Sequence, residues 1–151
     1  MKRILLIILA LSLILLLTGC SSLHPVNVRV QGHQRMNLDH KKHSLPVIVK
    51  IFQLKRRQAF DTSQFRQLWK KPKAALGDDL VSSYKIHISP GQNKTITIDR
   101  KENTHYIAAL AIFRHPASHN WRASTQITQW SLPYVPQHIH VDVVNNKINI
   151  Q

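Results

Sequence analysis

The sequence predicts a mostly β fold, a two-sheet β-sandwich of about eight strands with one short added helix. Several short segments alternate apolar and polar residues with a period of two, which is typical of strands that bury one face. Turn-forming residues separate these segments at short intervals, and only one segment has the apolar spacing of a helix. A chain of 151 residues suits a single domain of this kind, with two sheets packed around one core.

The first two strands are predicted at residues 26–31 and 45–54. In the first, valines at every second position alternate with polar residues. The second is more continuously apolar, which favours a central position in its sheet, with Pro46 at the start of the strand. The residues between them, 32–44, are mostly polar and are predicted to form a loop.

One helix is predicted over residues 61–71, after the second strand. Asp61 or Thr62 can cap its N-terminus, and Pro72 follows its last turn and ends it. The apolar stripe of this helix consists of Phe65, Leu68 and Trp69.

Six further strands are predicted in the second half of the chain. Two of them form a hairpin that turns at Pro90 and Gly91, because alternating segments flank that pair. Residues 106–113 are nearly all apolar, which predicts a central strand with both faces buried. The remaining strands are predicted at 121–127, 138–143 and 148–150.

The N-terminus predicts export from the cytoplasm and attachment to a lipid. A short basic start precedes an apolar run over residues 4–17, as in a secretory signal peptide. This run of about 14 residues is shorter than the roughly 20 that a membrane-spanning helix needs. Residues 17–20 resemble a bacterial lipobox, in which Cys20 is acylated and becomes the first residue of the mature chain. Ser21 resembles a signal for sorting to the outer membrane.

These features divide the chain into three parts. We expect a lipoprotein signal peptide at residues 1–19, a lipidated tether at 20–25 and the β-sandwich domain at 26–151. The alternative is an ordinary signal peptide followed by an incidental cysteine. Lipid attachment through more than one acyl chain would hold the mature protein permanently on a membrane.

The chain is strongly basic, with 21 Lys and Arg against 7 Asp and Glu and a formal net charge of +14. Such a charge is typical of proteins that bind nucleic acid, an anionic membrane surface or an acidic partner. An exported protein does not meet the nucleic acid of the cytoplasm, so nucleic acid is excluded as a partner. Without Lys2 and Arg3, the mature chain would still carry a net charge of +12.

The sequence contains no recognisable catalytic or metal-binding motif. Its four glycines form no phosphate-binding loop, and its only cysteine is the expected lipidation site, which excludes a cysteine nucleophile. His138, His140 and Asp142 share a strand face, but a zinc site needs further ligands, and a solvated strand face explains the spacing equally well. We therefore expect no enzyme, no metal and no cofactor.

Seven short segments carry a resemblance to a known family through their order and spacing. They are 45–54, 59–60, 65–69, 76–80, 90–91, 111–114 and 121–122. Together they resemble the outer-membrane lipoprotein of the type VI secretion system, the TssJ family, which is also called SciN or VasD. The resemblance covers most of the mature chain.

The resemblance implies a transthyretin-like β-sandwich that is lipid-anchored at the periplasmic face of the outer membrane and has no enzymatic activity. It implies binding to the periplasmic C-terminal domain of TssM, in a complex with TssL, to anchor and assemble the envelope-spanning core. In the family, the loop between the first two strands contacts TssM, and many relatives have Asn-Pro-Asp where this chain has Asn37, Leu38 and Asp39. The residues expected to bind the partner are Met36, Asn37, Leu38, Asp39, His40, Lys41 and Lys42.

A second hypothesis belongs to a different class of function. The chain has basic clusters at 41–42, 55–57, 70–73 and 100–101. A periplasmic lipoprotein could use such a basic surface to bind lipopolysaccharide, cell wall or another anionic component of the envelope. Binding to TssM distinguishes the two hypotheses.

Overall fold

The computed structural model describes residues 25–116, 120–128 and 136–151, which form two four-stranded sheets. The expected signal peptide and Cys20 lie outside the described residues. The strands are β1 (Val26–Met36), β2 (Val47–Leu54), β3 (Leu80–Ile88), β4 (Asn93–Ile98), β5 (Tyr106–Ala111), β6 (Arg122–Gln126), β7 (Gln137–Asn145) and β8 (Lys147–Ile150). The prediction of a mostly β, two-sheet fold is confirmed.

The strand order is β4-β1-β7-β8 in one sheet and β3-β2-β5-β6 in the other. Strand β1 runs parallel to β7, whereas every other pair of neighbouring strands is antiparallel. Consequently β1, the first strand of the domain, is a central strand with hydrogen-bonded neighbours on both sides.

The core lies between the two sheets and follows the predicted alternation. The valines of β1 at positions 26, 28 and 30 are at most 1% exposed. On β7, Ile139, Val141 and Val143 are buried, whereas His138 and His140 are exposed. Each buried aliphatic side chain contributes about 1.5–3 kcal/mol relative to an exposed one, so this alternation determines which face of each strand turns inward.

Strand β5 is buried on both faces, as predicted. Ile107, Ala109 and Ala111 pair in register with the core-facing positions of β2. Ala108 and Leu110 face the opposite side, where the helical segment covers the sheet, and both are fully buried. The doubly apolar sequence of β5 is therefore explained by a core on one face and helices on the other.

The prediction of one helix is wrong, because the segment divides into three short α-helices. Ser63 and Gln64 have an extended backbone, which separates the first helix from the second. The backbone N–H of Gln64 donates to Oε1 of Gln67, so Gln64 rather than Asp61 or Thr62 begins the second helix. The helices are α1 (Gln58–Thr62), α2 (Phe65–Lys70) and α3 (Pro72–Leu76), followed by a 3-10 turn (Gly77–Asp79).

The helical segment is fixed to the outer face of the sheet by aromatic packing and by one arginine. The rings of Phe60 and Phe52 lie 5.6 Å apart between their centroids. The guanidinium of Arg122 donates to the carbonyl oxygens of Phe60 at 2.8 Å and Ser63 at 2.7 Å. These bonds satisfy carbonyls at the C-terminus of α1, where a short helix has no further turn to bind them.

The strand directions define two ends of the sandwich. At the N-terminal end lie the start of β1, the β2–α1 connection and the β4–β5 loop. At the opposite end, here called the distal end, lie the β1–β2 loop, the β3–β4 turn, the β5–β6 connection and the β7–β8 turn. The 11 residues of β1 separate the two ends by about 33 Å.

Candidate functional site

The expected partner-binding segment, residues 32–44, is partly strand and partly loop. Strand β1 continues through Gly32 to Met36, so the loop between β1 and β2 covers residues 37–46. Gly32 allows this continuation, because a Cβ atom there would lie 2.6 Å from the carbonyl oxygen of Ser89 in the β3–β4 turn. The backbone N–H of Gly32 also donates to the carbonyl of Gln92 at 2.8 Å. The glycine therefore marks a close approach between backbones rather than the end of the strand.

Asn37 bonds the two ends of the loop to each other and connects the loop to two other segments of the distal end. Its Nδ2 donates to the carbonyl of Pro46 at 2.8 Å, and its Oδ1 accepts from the backbone N–H of Arg114 at 2.7 Å. Its own backbone N–H donates to the carbonyl of Asn145 in the β7–β8 turn. The residue is 5% exposed and has a φ of +47°, a left-handed conformation that asparagine tolerates better than most residues.

Asp39 organises the tip of the loop. Its Oδ1 accepts from the backbone N–H groups of Lys41 and His43, both at 2.8 Å, and its Oδ2 lies 3.1 Å from Nδ1 of His43. The hydrogen bond from the backbone of His43 is the main cause that lowers the pKa of Asp39 below its ordinary value. The carboxylate is therefore ionised at neutral pH and is directed into the loop.

The loop also contacts its neighbours through the residues around its tip. The backbone N–H of Leu38 donates to Oδ1 of Asn146 at 2.8 Å. The rings of His40 and His115 lie 4.1 Å apart between their centroids, which joins the loop to the β5–β6 connection. The loop, the β5–β6 connection and the β7–β8 turn thus form one continuous surface.

The structure separates the seven expected partner-binding residues into a support and a surface. Met36 is fully buried and Asn37 nearly so, and both hold the loop on the sandwich. Leu38 and Asp39 are half-buried. His40, Lys41 and Lys42 are exposed, together with His43.

Sequence reasoning missed three exposed basic residues that lie at the same end. They are Arg35 near the end of β1, Arg114 in the β5–β6 connection and Lys147 at the start of β8. No local pattern indicates their proximity to the loop, because only the strand pairing and the contacts of Asn37 and Leu38 bring these segments together.

The histidines do not form a metal site in the described part of the chain. His138 and His140 point outward from β7, and Asp142 contacts His33 of β1 at 3.5 Å. Across residues 25–116, 120–128 and 136–151, no three His, Cys, Asp or Glu side chains are grouped so that they could hold a metal ion. The same residues include no helix with the length and apolar character needed to cross a membrane.

Replacing Asn37 by Ala is expected to loosen the loop while preserving the sandwich. The substitution removes two hydrogen bonds and leaves the carbonyl of Pro46 and the N–H of Arg114 without partners, at a cost of about 1–2 kcal/mol. Hydrogen exchange of amides 38–45 should accelerate about 10-fold, with little change in the core strands. Asn149→Ala, at an exposed position of β8, is the matched control. Unchanged exchange in Asn37→Ala would show that these bonds do not order the loop.

Comparison with known proteins assigns this architecture to a recognised group. A family model described as "Type VI secretion lipoprotein, VasD, EvfM, TssJ" matches residues 24–146. The T6SS lipoprotein TssJ1 from Pseudomonas aeruginosa has a similar structure, with 20% identity, a TM-score of 0.76, and coverage of 85% of this chain and 95% of that one. Lip from Serratia marcescens, described as a membrane-bound component of the type VI secretion system, has 17% identity, a TM-score of 0.75, and coverage of 85% and 94%.

A third similar chain comes from a structure described as the T6SS protein TssM C-terminal domain (869-1107) from EAEC. It has 18% identity and a TM-score of 0.72, with coverage of 85% of this chain and 98% of that one. A comparison with curated protein sequences gave no match. At these identities the solved structures confirm the fold of the sandwich.

Proposed function

The chain belongs to the type VI secretion lipoprotein family, and we propose that it anchors the membrane core complex of the secretion system to the outer membrane. In this proposal, Cys20 carries the lipid, the sandwich lies in the periplasm, and the β1–β2 loop binds the periplasmic C-terminal domain of TssM. The bound TssM domain, in a complex with TssL, is thereby connected to the outer membrane. This function is binding and assembly, so it requires no catalytic residue and no cofactor.

The observation that carries the proposal is the separation of the expected lipid anchor from the loop. Strand β1 begins six residues after Cys20, and the loop follows the other end of the same strand, about 33 Å away. A chain held on a membrane at its N-terminus would therefore present the loop away from the bilayer. A partner that reaches across the periplasm would meet that end of the molecule first.

The similar chain from the TssM structure supports the choice of partner. The structure in which that chain occurs is described as the TssM C-terminal domain, and the chain is similar to 85% of the present one. This likeness supports TssM as the proposed partner.

Binding to the TssM domain tests the proposal directly. The full-length lipoprotein, solubilised in detergent, is immobilised and exposed to the periplasmic C-terminal domain of TssM in biolayer interferometry. Replacing residues 38–43 by a Gly/Ser sequence of equal length is expected to weaken binding at least 10-fold. Met36 and Asn37 remain in this variant, because they support the loop. We expect an unchanged melting temperature, since β1 is intact.

A matched control replaces Lys101 and Glu102 by Ser, in the β4–β5 loop at the N-terminal end. This variant should bind TssM within about 2-fold of the wild type. Absence of binding by the wild-type protein would refute the proposed function. Full binding by the 38–43 variant would instead remove the β1–β2 loop from the interface.

A further inference from the structure

The distal end of the domain carries a group of exposed basic side chains. Five exposed Lys and Arg side chains lie there, contributed by the end of β1, the β1–β2 loop, the β5–β6 connection and the start of β8. Three exposed histidines accompany them. We call this set the distal basic face: Arg35, His40, Lys41, Lys42, His43, Arg114, His115 and Lys147.

Few acidic side chains lie near this face to neutralise its positive charge. Within the described residues of the distal end, the one carboxylate is that of Asp39, and both of its oxygens already interact with backbone or side-chain groups of the loop. Asp142 lies three residues before the end of β7 and contacts His33. The distal basic face together with Asp39 therefore has a formal charge of +4 before any histidine is protonated.

The N-terminal end is nearly neutral by comparison. Its basic residues are Lys55, Arg56, Arg57, Arg100 and Lys101, and its acidic residues are Asp78, Asp79, Asp99 and Glu102. Arg56 forms an ion pair with Asp79 at 2.8 Å, and Arg57 forms one with Asp61 at 3.2 Å. The basic residues of the distal face thus lie at the end opposite the expected lipid anchor, and they have fewer acidic neighbours than those of the N-terminal end.

We propose that the distal basic face is a preformed docking surface for an acidic protein surface. This inference rests on the proposed function and specifies the chemistry of the partner. Asn37 and Leu38 fix the loop to the β5–β6 connection and the β7–β8 turn, so the charges lie on one ordered surface rather than on independent loops. Complementary charge on a partner accelerates association and orients the two surfaces before contact.

The membrane that holds the lipid anchor is too far away to be the binding partner of this face. The face lies about 33 Å from the start of β1, whereas electrostatic interactions at physiological ionic strength decay over about 8 Å. An upright, lipid-anchored domain therefore has these charges outside the electrostatic range of its own membrane. A protein that approaches the distal end is within range.

Paired charge reversals test this surface against a control of identical net charge. The distal pairs are Lys41→Glu with Lys42→Glu, and Arg114→Glu with Lys147→Glu. The second pair lies outside the β1–β2 loop. The control pair is Lys55→Glu with Lys101→Glu at the N-terminal end; within the described residues, neither side chain forms an ion pair. Association rates of the full-length, detergent-solubilised lipoprotein with the TssM periplasmic domain are measured over a series of salt concentrations.

Each distal pair is expected to reduce the association rate at least 10-fold at low salt, with a smaller effect at high salt. The control pair should remain within about 2-fold of the wild type. If a distal pair lowers the melting temperature, the corresponding Gln variants, which remove charge without reversing it, replace that pair. They should show a weaker effect of the same kind.

The binding results distinguish a failure of this inference from a failure of the proposed function. If the wild type binds TssM but the distal pairs behave like the control, the inference is wrong and the proposed function stands. If the wild type does not bind TssM, both are wrong. If the distal pairs bind TssM normally but no longer co-sediment with purified peptidoglycan sacculi, the face binds cell wall and the inference of an acidic protein partner is overturned.

Discussion

Replacing Cys20 by Ala is expected to abolish lipid attachment and to reduce type VI secretion to the level of a strain that lacks the protein. The alanine variant has no thiol to acylate, so it would lack the lipid that links the mature protein to the membrane. The variant should move from the membrane fraction to the soluble periplasmic fraction. Its affinity for the TssM domain should remain within about 2-fold of the wild type, since the sandwich begins at Val26.

Ser22→Ala is the matched control for this experiment. It changes a polar residue two positions away and leaves the proposed lipidation site intact, so secretion should be normal. Fractionation followed by immunoblotting, together with the amount of secreted protein in the medium, provides the two readouts. A Cys20→Ala protein that left the membrane and still supported full secretion would contradict the anchoring role.

Replacing Gln53 by Leu is expected to destabilise the domain by about 3 kcal/mol and to lower its melting temperature by roughly 10 °C. Gln53 is fully buried near the C-terminus of β2, at the N-terminal end of the sandwich, and forms hydrogen bonds with the β4–β5 loop. Its Nε2 donates to the carbonyl of Asp99 at 3.0 Å, and its Oε1 accepts from the N–H of Lys101 at 3.1 Å and from Oγ1 of Thr104 at 2.9 Å. Leucine fills the space but leaves these buried groups without partners.

Gln126→Leu is the control for the loss of a glutamine amide, because Gln126 is exposed on β6. Its stability should change by less than about 0.5 kcal/mol. Thermal and urea unfolding of both variants measure the difference. A change below about 1 kcal/mol in Gln53→Leu would show that these hydrogen bonds contribute little to the stability of the domain.

The parts of the fold that depend on local patterns could be predicted from the sequence. The alternating valines of β1 and the apolar run of β5 determine which faces are buried, and burial is the largest stabilising term for a strand. The parallel pairing of β1 with β7 could not be predicted, because it joins residues more than 100 positions apart. The break between α1 and α2 was also missed, since Ser63 and Gln64 are compatible with a continuous helix when read alone.

The loop of the candidate site could be predicted from the sequence, but the neighbouring segments that support it could not. The resemblance indicated residues 36–42, and the structure exposes the basic tip of that segment. The support provided by Asn37 was not apparent, because one of its partners, Arg114, lies 77 positions further along the chain. The continuation of β1 through Gly32 was missed for the same reason, since the close backbone neighbour of that glycine belongs to the β3–β4 turn.

The central position of β1 has a mechanical consequence for the anchoring role proposed above. Tension between a lipid at the N-terminus and a partner on the distal face would act along the axis of β1. The hydrogen bonds to β4 and β7 run across that axis on both sides, so they would be loaded together in shear rather than opened one after another. The strand order thus suits this domain to carry a pulling force from end to end.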